Sequence, residues 1–275
     1  MGSQPLLPAT PAGFVLHDEP QAKRLVVGSG AAAREIAVLE RPGRAPGLFW
    51  FGGFGANMRG TKAEALDAFA AETGLACLRF DYSGNGQSSG RFEDGTITRW
   101  LEEGRAVFDQ LATQPQVVVG SSMGGWIALL LATALRGSGR IAGLVLIAPA
   151  VDMTQELMWA AMDRRARDLL ASAGAVPMPD SGLPITRALI EDGKQHLFGG
   201  RLIEVGCPVA ILQGIADQEV PYRHAEQLVA RLAADDVVLT LVKDGDHRLS
   251  RPQDIDLLRG TVARLVAEID IARAP

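Results

Sequence analysis

The sequence predicts an α/β protein with a mostly parallel central sheet, helices on both faces and a helical cap insertion. Three observations carry that expectation. Short apolar runs alternate with segments of helical periodicity, several of the runs end in glycine-rich turns, and one later stretch loses the alternation. Strands that read as unbroken Val, Ile and Leu are buried on both faces, which is the mark of a parallel sheet covered by helices.

The elements follow in order. Phe14–His17, Leu25–Val27 and Ile36–Leu39 are β-prone runs punctuated by Gly28, Gly30 and Pro42. Leu48–Phe51 ends in Gly52-Gly53-Phe54-Gly55 and leads to a helix over about Thr61–Thr73, with Ala65, Leu66, Phe69 and Ala70 at helical spacing. Leu75–Phe80 is a strand ending in Asp81, and a helix over about Thr98–Leu111 leads to the strand Val117–Val119. Ser122 opens an apolar helix, and Ile141–Ile147 is a further buried strand.

The rhythm breaks from Asp152 to about Gly200. A Met- and Trp-bearing helical stretch, Leu157 to Leu170, precedes Pro177, Pro179 and Pro184 and a second helical stretch. The sheet pattern resumes with Val209–Leu212, a helix near Pro221–Leu232, the strand Val237–Val242 and a last helix over about Pro252–Ile271. Residues 1–275 therefore read as one domain with a cap insertion at about 152–200.

Composition narrows the function classes. Apolar residues make up 47% and charged residues 21%, as in a soluble enzyme with a sizeable core. A net charge of −5 without a basic patch argues against nucleic acid as a partner. Arg164, Arg165 and Arg167, interleaved with Asp163 and Asp168, read as a solvated helix face. Cys77 and Cys207 are expected as buried free thiols. Met1 to Phe14 lacks the features of a secretory signal, and the longest apolar run, Trp126 to Leu135, is about half a membrane span. A cytoplasmic setting without stable membrane insertion is expected. No metal-ligand spacing appears, so neither a metal nor an organic cofactor is expected.

The chemistry centres on Gly120-Ser121-Ser122-Met123-Gly124, a G-x-S-x-G between a β-branched strand and a helix. Small residues two positions either side of Ser122 let strand and helix approach closely. A serine hydroxyl needs a base. Of the four histidines, His17 precedes the sheet, His196 lies in the insertion and His224 falls on a predicted helix surface. His247 follows the last strand, at the carboxyl edge where such sites assemble. The acid is expected between serine and histidine in chain order, and Asp217 lies just past Val209–Leu212. Glu219, two residues on, is the rival. The oxyanion donors are expected to be the N–H groups of Met123 and Phe54, the latter in a glycine turn that otherwise only reverses the chain.

Gly120–Gly125, Asp217-x-x-Val220-Pro221, Asp246-His247 and the D-x-x-G-x-G-x-S turn Asp81–Ser88 resemble the α/β-hydrolase superfamily. More narrowly, Gly60-Thr61-Lys62-Ala63, Arg79-Phe80-Asp81-Tyr82-Ser83-Gly84, Gly120–Trp126 and Gly245-Asp246-His247-Arg248 resemble one family. That family is the mitochondrial palmitoyl-protein thioesterases, also described as mycophenolic acid acyl-glucuronide esterases. The Arg- and Ala-rich, Lys-poor composition suits a bacterial homologue.

The expected reaction is two-step acyl transfer on a carboxylic ester or thioester, an S-acylated protein being one candidate substrate. Met158, Trp159 and Met162 of the insertion, with Met153 and Leu157, either line an acyl pocket or pack the insertion onto the domain. A serine peptidase acting on small amides is the second reading. A non-catalytic binding protein with the same fold is the third, and the complete set Ser122, Asp217 and His247 argues against it.

Overall fold

The structure, a computed structural model, describes residues 19–179, 181–233 and 236–273. The Phe14–His17 run, and His17 with it, lies outside the described residues. The first half of the chain forms β1 (Gln21–Val27), β2 (Arg34–Arg41), β3 (Arg44–Phe51), α1 (Thr61–Thr73) and β4 (Leu75–Phe80). It continues through α2 (Ile97–Leu111), β5 (Gln116–Ser121), α3 (Met123–Ala134) and β6 (Ile141–Ile147). Next come α4 (Arg164–Ala173), β7 (Ala175–Pro177), β8 (Pro184–Thr186) and α5 (Arg187–Gly193). The last part is β9 (Val209–Gly214), α6 (Tyr222–Arg231), β10 (Val237–Val242) and α7 (Pro252–Arg273).

Eight strands make one sheet in the order β1-β2-β4-β3-β5-β6-β9-β10. Only β2 runs against its neighbours; β4 through β10 are parallel. The strand side chains alternate between two apolar layers, as the period of two requires. Phe49, Phe51, Val118, Leu144, Leu146 and Ile211 pack with Trp100 and Phe108 of α2 and Trp126 of α3. Leu48, Trp50, Val117, Val119, Val145 and Leu212 pack with Leu66 of α1 and Leu258 and Val262 of α7. The fold class expected from the sequence is the one observed. Cys77 and Cys207 are free and buried. No helix among the described residues is long and apolar enough to cross a membrane.

The stretch between β6 and β9 departs from its expected helix. Residues Thr154–Trp159 wind as a π-helical turn, and α4 starts afresh at Arg164. The reason is Asp163, whose carboxylate accepts the Ala166 N–H at 2.7 Å and caps a new helix instead of continuing the old one. Arg164, Arg165 and Arg167 are exposed. At the base of this stretch Asp152, fully buried, accepts the Phe198 and Gly199 N–H groups at 2.8 Å each. One carboxylate thus ties the two ends of the stretch together, with Arg231 of α6 at 3.5 Å.

Candidate active site

Ser122 joins β5 to α3 at φ 54°, ψ −120°, a conformation that a residue with a Cβ adopts only where its surroundings hold it. Here they do. The Ser122 N–H donates to the Ile147 carbonyl at 2.8 Å, and its own carbonyl accepts from Gly125 and Ala150. A Cβ on Gly120 would stand 2.5 Å from the Gly124 carbonyl oxygen, and one on Gly124 would stand 2.2 Å from that of Phe51. Strand, turn and helix therefore meet backbone to backbone, which only glycine allows.

His247 and Asp217 come from the loops after β10 and β9, respectively. Those loops also touch through glycine: a Cβ on Gly214 would lie 2.2 Å from the Gly245 carbonyl oxygen. Ala216 N–H donates to that same carbonyl, and Ile215 N–H to Val242. The result brings His247 Nε2 to 3.0 Å from Ser122 Oγ and His247 Nδ1 to 2.8 Å from Asp217 Oδ2. Asp217 Oδ1 accepts the backbone N–H groups of Glu219 and Val220, at 2.9 and 2.8 Å. A carboxylate so surrounded by donors stays an acceptor, so Nδ1 carries the proton and Nε2 is free to take one from serine.

Glu219 stands elsewhere. Its Oε2 is 3.7 Å from His247 Nε2, on the serine side of the ring, and its side chain is 47% exposed. The Asp217 side chain is fully buried.

Met123 is the first residue of α3, where an N–H has no partner inside the helix. Gly53 lies against the nucleophile, since a Cβ there would be 3.4 Å from Ser122 Cβ. Phe54 follows it, with its ring turned onto Phe92 and Trp100 at centroid distances of 4.9 and 5.9 Å. The hairpin of β7 and β8 reaches this same loop: a Cβ on Gly55 would meet Leu183 Cδ1 at 2.3 Å.

Several residues support the site through contacts that the sequence reading did not assign. Asp81 accepts Met58 N–H at 2.6 Å and Gln87 N–H at 2.7 Å, while Arg79 donates to the Met58 carbonyl. The loop after β3 is pinned to the Asp81–Ser88 turn by this pair. Burial pushes the Asp81 carboxyl above the usual carboxylate range, against the pull of those two N–H donors. Gln213, fully buried, donates from Nε2 to Asp217 Oδ2 and the Val220 carbonyl, both at 3.0 Å. A glutamine closing an otherwise apolar strand was the signal for it. Arg251 bridges Asp244 and Asp254 and so fastens both ends of the His247 loop. Lys62 Nζ donates to the Arg248 carbonyl, and burial pushes its ammonium down to about 8, against the opposing pull of Asp246.

Met158 and Met162 are buried at 8% and 9% exposure, in the layer that also holds Met153. Trp159 is half-buried under the Arg167 guanidinium, 4.7 Å from the ring centroid. His224 is not the surface residue its helix suggested. Its Nε2 lies 2.9 Å from the Val151 carbonyl oxygen because α6 packs at the base of the insertion. His196 Nε2 meets Thr98 Oγ at 2.6 Å. A depression of about 430 Å³ at the amino edge of the sheet, lined by Arg136, Glu204, Cys207 and Asp236 among others, includes none of the triad.

Several known proteins are similar to this chain. Residues 51–188 match the Hydrolase_4 family, described as serine aminopeptidase, S33. The mitochondrial palmitoyl-protein thioesterase ABHD10 of Bos taurus is 35% identical over 241 residues, covering 85% of this chain and 77% of the relative. A putative hydrolase of Agrobacterium vitis S4, solved by crystallography, is 48% identical with a TM-score of 0.86, over 90% of this chain and 100% of that one. The solved mouse ABHD10 is 30% identical with a TM-score of 0.83, over 90% and 99% of the two chains.

Proposed function

The chain belongs to the Hydrolase_4 family of α/β-hydrolases, and on that premise we propose that it is a serine hydrolase of carboxylic esters and thioesters. The observation that carries the mechanism is the single line of contacts from Ser122 Oγ through both imidazole nitrogens of His247 to the buried Asp217. Ser122 attacks the acyl carbon while Nε2 takes its proton, and the Met123 and Phe54 N–H groups receive the oxyanion. The proton then passes from Nε2 to the leaving atom as the carbon–leaving-group bond breaks. Water, deprotonated by the same nitrogen, releases the acid.

The bovine relative is named as a palmitoyl-protein thioesterase, which supports thioesters as the preferred class and an S-acylated protein as one candidate. Met158, Trp159 and Met162 stand in the proposal as lining for an apolar acyl chain, with residues 152–200 as a cap on a single domain. A cytoplasmic setting is also part of the proposal, although that relative is mitochondrial.

The second reading, a peptidase of small amides, draws on the aminopeptidase description of the matching family. One acyl group carried by a thiol, a phenol and an aniline separates the two. Thiolates and phenolates leave readily, whereas an amine must first be protonated in good alignment. We expect the thioester and aryl ester to be cleaved much faster than the anilide, and a fluorophosphonate to label Ser122. An anilide cleaved as fast as the thioester would install the peptidase reading instead, and an adduct located elsewhere would remove Ser122 as nucleophile.

A further inference from the structure

From the position of Glu219 we infer that the leaving-group side of the site selects against anionic leaving groups and in favour of neutral and cationic ones. The inference rests on the acyl-transfer reading above and adds to it a substrate class. Glu219 is not placed by chance of rotamer alone. Its N–H is bound to Asp217 Oδ1 at 2.9 Å, so its backbone belongs to the same tight turn that holds the triad acid. The side chain leaves that turn toward the opposite ring nitrogen, with Oε2 3.7 Å from His247 Nε2.

Nε2 is the nitrogen that matters for departure. Ser122 Oγ is 3.0 Å from it, and the proton taken from serine must be handed from Nε2 to the departing atom. That transfer demands an approach of about 3 Å between Nε2 and the leaving atom. With Glu219 on the same nitrogen, a charge three bonds beyond the leaving atom passes roughly 5–8 Å from its carboxylate, given that reach. A unit charge at that range, through surface-like to water-like dielectric, changes a rate by about twofold to a few hundredfold before screening by salt. Half-exposed Glu219 belongs near the lower end, since solvent weakens such pairs.

Among the charged side chains near the ring, Arg248 and Lys243 are exposed to solvent, Asp244 pairs with Arg251, and the remainder have partners. Asp217 is bound at Nδ1, Asp246 Oδ1 accepts the Leu249 N–H, and Lys62 donates to the Arg248 carbonyl. Glu219 is the carboxylate that meets Nε2, and the sequence had offered it only as an alternative to Asp217.

The test uses three butanoyl thioesters with fixed charge: those of 2-(trimethylammonio)ethanethiol, 2-mercaptoethanol and 2-mercaptoethanesulfonate. In each, the serine oxygen–carbon bond forms, the carbon–sulfur bond breaks and the thiolate takes the proton from Nε2. The whole protein is assayed at low salt by release of thiol. We expect kcat/KM to fall in the order cationic, neutral, anionic, with a cation-to-anion ratio on the order of tenfold. The ratio should shrink in 0.5 M salt, collapse toward one in Glu219→Gln and invert in Glu219→Lys. A ratio that Glu219→Gln leaves unchanged would overturn this inference while the acyl-transfer reading stands. Three inert thioesters in the parent protein would overturn both.

Discussion

At the carboxyl edge of the sheet, backbone approaches backbone: Gly120 on Gly124, Gly124 on Phe51, Gly214 on Gly245. Between β6 and β9 the chain is held instead by side chains that reach across, Asp152 to Phe198 and Gly199 and Leu183 to Gly55. The first region fixes the positions of reacting atoms to a fraction of an ångström. A proton transfer over about 3 Å needs positions held as tightly as those of the first region.

Five substitutions break or sharpen this contrast, taken from the largest expected effect. Ser122→Ala removes one oxygen, and with it the His247 contact, from a turn whose other hydrogen bonds are backbone ones, so turnover should fall by about 10⁴-fold or more with thermal stability retained. Asp217→Asn should approach the same loss. Turnover of Ser122→Ala within tenfold of the parent would show that the elbow is not the reacting centre. Gly124→Ala puts a methyl 2.2 Å from the Phe51 carbonyl oxygen, so stability should fall by about 1–3 kcal/mol, as for other overpacked sites. Activity should fall with it, read by chemical denaturation and initial rates together. An unchanged protein would mean that strand and helix have room to spare.

Asp152→Ala tests the second region. It strands the buried Phe198 N–H and frees that of exposed Gly199 at the neck, with an expected cost of about 1–3 kcal/mol. Limited proteolysis should then cut within 152–200, while fluorophosphonate labelling of Ser122 persists. Cleavage elsewhere first would place the weak point outside the insertion.

The smallest effect concerns pH. Lys62 titrates at about 8 in the fold and at 10.5 ordinarily, because burial disfavours its charge. The unfolded chain therefore binds the extra proton between those values, and stability from this group rises as pH rises from about 8 toward 10.5. Lys62→Met has no charge to bury, so its melting temperature relative to the parent should be highest near pH 7 and lose that advantage by pH 10. A constant difference across that range would detach Lys62 from the effect.

The lessons for sequence reading fall along the same divide. Leu75–Phe80 and Ile141–Ile147 begin and end where their apolar runs do, and Ser122, Asp217 and His247 stood out by their places after strands. Period, glycine spacing and strand-to-helix order are local properties, so the chain states them outright. The helix expected over Leu157–Leu170 failed because a cap residue, Asp163, outweighed the apolar periodicity around it.

What the sequence determined alone is therefore the sheet, its order of strands and helices, and the three residues whose backbone contexts require particular neighbours in the chain. What only the tertiary structure decided is which side chains converge from distant segments. Gln213 on Asp217, Asp81 on Met58, His224 on Val151 and Glu219 on the serine side of the ring are such pairings. A polar residue closing an apolar run can mark such a position, as at Gln213, but the chain does not name its partner, because a hydrogen bond across the fold depends on how two segments pack.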